Sequence, residues 1–435
     1  MTLKKMIAAL AGYVGARFLG AGLGLLTQVV LARALIPEHV TQVFIAMSAA
    51  AFFSLLMSGG ETQLASTHLP KLLARNERKA VAAYHGLVLR HMVVVFAVLV
   101  VLLVAVWQLR LLKPEVVMPL AVGLVTAPFS GFMRYNAMIA NSLRWFPLSY
   151  IPDFIVRPVL FLSAIAIFIA LGLGDNVYAV LAAFTVLVWI VAIGLAASMQ
   201  GEDLKLRHWF SYRALYARVL RPRSVALLLV SIVSFAFADV VMLLAGFLYA
   251  PEDAAVVGVA VRLAAIAGFV LQAGQLFVLP DFTAAMTRRD TAAANTVLWR
   301  MNSLTLLIAL AGLVAALLLG RFVLSFFGSH YEQGSLLLVL LLVGQSIRSM
   351  GGMNQNLLAI GGFQIRTAMP CVLALAILLV AAIVLVPALG LTGIGYAVIA
   401  AELAWMLFLA AQANSLCGRR ADLLWLARNA QQAVK

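Results

Sequence analysis

The residues most able to do chemistry in this sequence are ionisable side chains set deep in long apolar runs: Arg17, Arg262 and Arg348, with Glu61, Asp239 and Glu402. A charge near a bilayer centre costs several kcal/mol on most scales, so each must face a hydrated cavity or a partner. Arg17 shares a helical face with Tyr13, Gly20, Gly24 and Gln28, a small-and-polar stripe in which the small residues let helices approach or leave a lumen open. The plainer reading of Arg17 is a side chain snorkelling to the interface. Arg262 follows the Pro251-Glu252 turn by about 16 Å of helix, too deep for easy snorkelling. Asp239 could pair with Arg262 or take up a coupling proton. Arg348 lies on a polar strip with Gln345, Ser349, Gly352 and Gln355 or Asn356 that should face a lumen or another helix. Glu402 could form an ion pair with Arg348, which would make both structural, or serve coupling. Glu61, on a stripe with Ser54 and Ser58, could bind a proton or Na⁺. Arg134 lies near a helix end and can snorkel, and Asp153 and Arg157 stand i, i+4 and should pair with each other.

Other chemistries find little support. Cys371 sits in an apolar run and Cys417 in a basic tail, a spacing that suggests neither a disulfide framework nor a metal site. The six histidines form no HExxH-like arrangement, and no nucleotide-binding loop is present. No cofactor is expected.

The elements that position these charges follow from composition. Of 435 residues 64% are hydrophobic and only 11% charged, with a mean hydropathy of +1.06, which makes lipid the solvent. Apolar runs long enough to span about 30 Å of hydrocarbon occur near 9–35, 40–66, 85–109, 116–140, 149–171, 176–199, 224–249, 254–280, 300–323, 333–360, 367–388 and 391–414. Unpaired backbone groups are not tolerated in hydrocarbon, so these must be helices. Lys4, Lys5, Lys71, Arg75, Arg144, Lys205, Arg288, Arg366 and Arg419 fall on alternate loops and both tails, whereas the opposite loops hold Glu38, Glu115, Asp175, Glu252 and Glu332. The positive-inside rule then places both termini in the cytoplasm, which requires an even number of spans. A cleaved signal peptide over the first span would leave an odd number. The net charge of +15 is accounted for by these loops and implies anionic membrane lipid rather than nucleic acid as the partner.

A shift of 214 positions overlays the two halves. Leu35-Ile36-Pro37-Glu38 falls on Tyr249-Ala250-Pro251-Glu252, Arg75 on Arg289 and Arg134 on Arg348. The expected organisation is therefore a six-helix lobe over 1–199, a linker over 200–223, a second six-helix lobe over 224–414 and a basic cytoplasmic tail over 415–435. In the linker Trp209, Tyr212, Tyr216, Val219 and Leu220 share one side, as in a helix lying on the membrane surface.

Several segments, in order, resemble the polysaccharide-transporter (Wzx-type O-antigen flippase) family, within the superfamily that also holds multidrug exporters and the lipid II flippase. They are Gly15-Ala-Arg17-Phe-Leu-Gly20, Leu31-Ala-Arg33-Ala-Leu35-Ile-Pro37-Glu38, Asp239-Val-Val-Met, Gly258-Val-Ala260-Val-Arg262, Phe326-Phe-Gly328, Gly361-Gly362 and Leu389-Gly390-Leu-Thr-Gly393. The resemblance implies an all-α membrane protein of twelve transmembrane helices in two six-helix lobes arranged as a V around a central cavity. It implies that the intramembrane arginines meet the phosphates of an undecaprenyl-diphosphate-linked glycan. The Gly that often follows the Pro-Glu turn of that family's first lobe is replaced here by the Val40–Gln42 region.

On this reading the chain flips a lipid-linked O-antigen, capsule or exopolysaccharide unit across the bacterial inner membrane by alternating access. Arg17, Arg262, Arg348 and Gln28 contact the substrate; Glu61, Asp239 and Glu402 serve coupling to H⁺ or Na⁺, or ion pairing. A polysaccharide polymerase or chain-length protein would be a partner. One alternative is a cation-coupled multidrug antiporter, disfavoured because the first span offers Arg17 and no carboxylate. Another is a glycan polymerase or ligase, disfavoured by outer loops of only a few residues.

Overall fold

The computed structural model describes residues 3–143, 145–199 and 214–433. Among them no strand occurs, and the chain runs as α1 (Leu3–Ala34), α2 (Pro37–Ser58), α3 (Glu61–Ala74), α4 (Arg78–Gln108), α5 (Pro114–Ser142), α6 (Phe146–Ile151), a π-helical turn (Pro152–Val156), α7 (Arg157–Ala170) and α8 (Val177–Ser198). It continues as α9 (Ala214–Phe235), α10 (Phe237–Leu248), α11 (Pro251–Thr287), α12 (Thr291–Ser325), α13 (Ser335–Met350), α14 (Asn354–Ile360), α15 (Ala368–Leu389), α16 (Gly393–Cys417) and α17 (Leu423–Ala433).

Nine described segments are long and apolar enough to cross a bilayer, and the bent pair α9–α10 adds a tenth. One of the nine, Gln364–Cys417, is 54 residues long and contains α15 and α16 folded against each other. The 37-residue α11 is a further crossing, with Arg262 the sole charge between Asp253 and Asp281. Twelve crossings result, and the chain is a multi-pass membrane protein. Exposed Val93, Val101, Leu102, Leu307, Leu318 and Val380 are the side chains expected to meet acyl chains.

The repeat is legible in the backbone. Ile36 and Ala250 precede α2 and α11 in the same extended conformation (φ −66°, ψ 153° and φ −62°, ψ 150°), each followed by a proline at the first helical position. Packing, however, divides the chain at 247/248 rather than in the 200–223 linker. The reason is that α9 and α10, first in the second repeat, pack onto the first: Gln63 Nε2 donates to Ser231 Oγ at 2.6 Å, Leu227 joins the core of Met57, Tyr84 and Tyr135, and Gly246 abuts Ile45. The first unit is thus 1–247 and the second 248–435. The surface-helix reading of the linker lies outside the described residues as far as 213; from Ala214 the backbone is one helix with the seventh crossing.

Two spans expected to be continuous are broken. The second crossing stops at Gly59 (φ 57°) and restarts at Glu61, and the tenth breaks at Gly351-Gly352 (Gly352 φ 59°). Both breaks need a left-handed residue, which glycine adopts without steric penalty. The tail is also more than a basic extension. Ala421 and Asp422 are buried, Met353 N and Asn302 Nδ2 donate to Ala421 O (3.1 and 2.9 Å), and Asn354 bonds both Ala421 N and Asp422 Oδ2 (2.7 and 3.1 Å). Gly352 is required beside this knot, since a Cβ there would stand 2.3 Å from Ala421 O.

Candidate functional site

In the first unit, charged groups lie on α1, α5, the π-helical turn with α7, and α10. Arg157 Nη2 lies 3.1 Å from Asp153 Oδ1, the pair expected from their i, i+4 spacing, with the side chains 36% and 31% exposed. Arg134 on α5 is half-buried, and Asp153, Arg157 and Asp239 contribute to its electrostatics. Asp239 opens α10, just past the 74° bend at Ala236.

The first helix is pinned at the same level. A Cβ on Gly20 would lie 2.4 Å from the carbonyl oxygen of Phe154, in the π-helical turn, and one on Gly12 would lie 2.9 Å from Tyr150 Oη. The two contacts lay α1 along α6 and the turn, and half-buried Arg17 stands between them in the sequence of α1. The turn itself has a covalent cause: Pro158 has no N–H to donate to the Phe154 carbonyl four residues back, so the α-helical ladder is interrupted there. On the small stripe of α1, Gly20 packs tightly, while among the described residues no atom lies within 4 Å of where Gly24 would carry a Cβ. Gln28, three turns beyond Arg17, is half-buried.

Glu61 lies at the break of the second crossing and is 2% exposed. Its Oε2 accepts no hydrogen bond among the described residues. Both that oxygen and His91 Nε2 press on the space a Gly59 Cβ would fill (2.0 and 3.0 Å), so carboxylate and imidazole are neighbours. His91 Nε2–H donates to Leu56 O at 3.2 Å, and Tyr84 Oη donates to the Glu61 carbonyl. Ser54 and Ser58, the other members of the expected stripe, are spent on Ala51 O and Leu55 O.

In the second unit, Arg348 Nε stands 3.1 Å from Glu402 Oε2, with the guanidinium carbon 4.9 Å from the centre of the Trp405 ring. The contact has the geometry of the ion pair considered for Arg348 and Glu402. The polar strip of the tenth crossing faces other helices of its unit: Ser349 is buried, and Gln345 Oε1 lies against Gly268 of α11. Arg262, half-buried in α11, donates from Nη1 to Gly258 O one turn earlier at 3.2 Å. Asp239 contributes to the electrostatics of Arg134. Among the described residues no group of His, Cys, Asp and Glu is arranged to hold a metal ion.

Sequence reasoning missed three features: the helix breaks, His91 beside Glu61, and the buried tail knot. The Gly59-Gly60 and Gly351-Gly352 dipeptides were the available signal for the first. Neither His91 nor the knot left a local trace, because both are assembled from residues far apart in the chain.

No protein-family model matches this chain, and no curated protein matches it in sequence. Solved structures do match. An inward-facing multidrug resistance MATE family transporter of the MOP superfamily superposes with a TM-score of 0.67 at 16% identity, covering 92% of this chain and 96% of that one. The lipid II flippase MurJ, in an inward closed conformation, gives 0.72 at 15% identity, covering 92% and 87%. An outward-facing MATE family transporter gives 0.60 at 16% identity, covering 94% and 96%. At such identities the likeness establishes the fold, which is that of the twelve-helix MOP-superfamily transporters.

Proposed function

We propose that this protein is a flippase that carries an undecaprenyl-diphosphate-linked oligosaccharide, an O-antigen, capsule or exopolysaccharide unit, from the cytoplasmic to the outer leaflet of the bacterial inner membrane. The observation that carries this reading is half-buried Arg17 within a membrane-crossing segment of α1, a helix packed through Gly20 against Phe154. A guanidinium offers a fork of donors matched to phosphate oxygens, and such a group at membrane depth suits an anionic head group better than a cationic drug. Arg262 is the corresponding contact proposed for the second unit, and Gln28 a hydrogen-bonding contact further along α1. The polyprenyl tail stays in lipid while the head group crosses. Alternating access is driven only through different affinities for the two states, so the arginine contacts must change as the site turns outward. Glu61, with an oxygen that accepts no hydrogen bond among the described residues and lies beside His91, is the proposed coupling group for H⁺ or Na⁺. Glu402 is assigned the structural role of partner to Arg348. A polymerase or chain-length protein that consumes the flipped unit is the proposed protein partner.

The test is complementation. Strains lacking defined flippases should regain a surface polymer when given the wild-type gene and not when given Arg17→Gln or Arg262→Gln, at equal membrane abundance. The rival with a specific observation behind it is a cation-coupled multidrug antiporter, favoured by the MATE likeness together with the buried Glu61 carboxylate. Drug resistance without polymer rescue would decide for that rival.

A further inference from the structure

The polar strip of the tenth crossing is written for an unbroken helix. Gln345, Arg348, Ser349, Gly352, Gln355 and Asn356 recur at intervals of three and four, which puts them on one face only if the helix runs through Gly352. In the structure it does not: α13 ends at Met350, Gly352 takes a left-handed φ of 59°, and α14 begins at Asn354. The strip is cut, with Gln345, Arg348 and Ser349 on one piece and Gln355 and Asn356 on the other. Glycine adopts the left-handed turn freely and is a poor helix former, so Gly351-Gly352 by itself leaves the broken and continuous forms close in energy. Contacts from elsewhere must decide between them.

Those contacts come mainly from the tail. A break strands backbone groups, and each buried one must find a partner. Met353 N donates to Ala421 O at 3.1 Å, where an unbroken helix would use Ser349 O. Asn354 Oδ1 accepts from Ala421 N at 2.7 Å, and its Nδ2 donates to Gly351 O and Asp422 Oδ2, both at 3.1 Å. The helix α11 adds one bond, from Gln275 Nε2 to Gly352 O at 3.3 Å. The tail is in turn fastened to α12, by Asn302 Nδ2 on Ala421 O at 2.9 Å and by Arg419 Nη2 on Asn295 Oδ1 at 2.7 Å. Residues 419–422 thus form a strap that completes the hydrogen bonding of a break some 70 positions earlier in the chain.

We propose that the tenth crossing is a two-state element, broken while residues 419–422 are docked and continuous once that strap is released. On release Met353 N exchanges Ala421 O for Ser349 O, and Gly352 takes a helical φ. The exchange costs the crossing no backbone hydrogen bond at Met353. The re-phased α14 turns about its axis until Gln355 and Asn356 line up with Gln345 and Arg348 as one polar face, the face that the sequence pattern encodes. The strap's bonds to α12 and to Asn354 set the bias between the two forms. An element with two discrete packings, biased by a segment distant in sequence, is how packed proteins switch. The tail is therefore a regulatory arm of the second unit, whatever the transported molecule.

The test reads shape without substrate, so its outcome is independent of the proposed function. Full-length protein in lipid nanodiscs carries spin labels at Ala359→Cys on α14 and Leu307→Cys on α12, both exposed positions. Cys371→Ala and Cys417→Ala remove the native thiols. With the tail intact, pulsed electron paramagnetic resonance should give one distance. A chain stopped after Gly418 should give a second distance as its main peak. The displacement should be about 5 Å, the shift of a surface label when a helix about 10 Å across turns on its axis. Asn302→Ala, which removes one bond of the strap from the α12 side, should populate both distances. Gly352→Ala should reach the displaced distance with the tail still present, because alanine resists the left-handed φ, collides with Ala421 O and favours helix. A stopped chain that keeps the original distance overturns the inference, since the break is then intrinsic to the crossing. So does a distribution that broadens with no second peak, which would make the tail a folding requirement only. Displaced distances that differ between the stopped chain and Gly352→Ala also overturn it, because one continuous form must answer to both.

Discussion

Arg348 and Glu402 meet at 3.1 Å between the tenth and twelfth crossings, with Trp405 beneath the guanidinium and only 2% of the glutamate side chain exposed. The glutamate is removed from water and the arginine, 17% exposed, mostly so, and the buried carboxylate depends on its partner. Removing one partner leaves an uncompensated buried charge, whereas replacing both with apolar groups of similar volume is often neutral. Glu402→Gln should therefore destabilise the protein by about 3–5 kcal/mol. The double variant Arg348→Met with Glu402→Leu should recover most of the loss, read as thermal unfolding in detergent. An Arg348→Met protein of unchanged stability that had lost export would make this arginine a substrate contact instead.

Gly60 should be irreplaceable for a steric reason. A Cβ there would stand 2.0 Å from the backbone oxygen of Ser224, so Gly60→Ala must push α3 off α9 and strain the Gln63–Ser231 hydrogen bond. The expected loss is about 1–3 kcal/mol, the usual range for overpacking. Gly22→Ala, where no atom lies within 4 Å, is the control and should leave unfolding unchanged.

Glu61 predicts a change in coupling rather than in folding. Its Oε2 has no hydrogen-bond donor among the described residues, so Glu61→Gln sacrifices no such contact of that oxygen. Proteoliposomes carrying the variant should still exchange substrate at equilibrium but should not accelerate when a proton or Na⁺ gradient is imposed. A gradient response equal to wild type would remove Glu61 from the mechanism.

The tail predicts a stability effect confined to the second unit. Asp422 is 1% exposed, pairs with Arg420 at 2.7 Å, accepts from Asn354 and Trp425 N, and so ties α17 to the break in the tenth crossing. Asp422→Ala leaves Arg420 and Asn354 without these bonds and should cost about 2–4 kcal/mol, in line with breaking a buried charged network. Protease should then cut near Gly418 faster than in the wild type.

How far the site was legible depends on the range of the interaction behind it. The Asp153–Arg157 pair followed from helical spacing alone, because i and i+4 share a face whatever surrounds them. The Arg348–Glu402 contact was legible as one of two options, since a buried charge demands either a partner or a cavity and sequence cannot tell which. Nearness to a helix end suggested snorkelling for Arg134, while the aspartates that contribute to its electrostatics, Asp153 and Asp239, lie 19 and 105 positions away, beyond any local pattern.

Hydropathy and chain length by themselves determined that this protein is a bundle of twelve membrane-crossing helices, and the Pro-Glu turns that recur at a shift of 214 pointed to two repeats of six, because hydrocarbon admits only helices at such lengths. Tertiary structure alone decided where the repeat yields to packing, assigning α9 and α10 to the first unit. It also decided which helices break and which charges meet. Those outcomes turn on contacts of a few ångströms between distant segments, such as Gly60 on Ser224 and Gly20 on Phe154, and no local pattern of side chains encodes them.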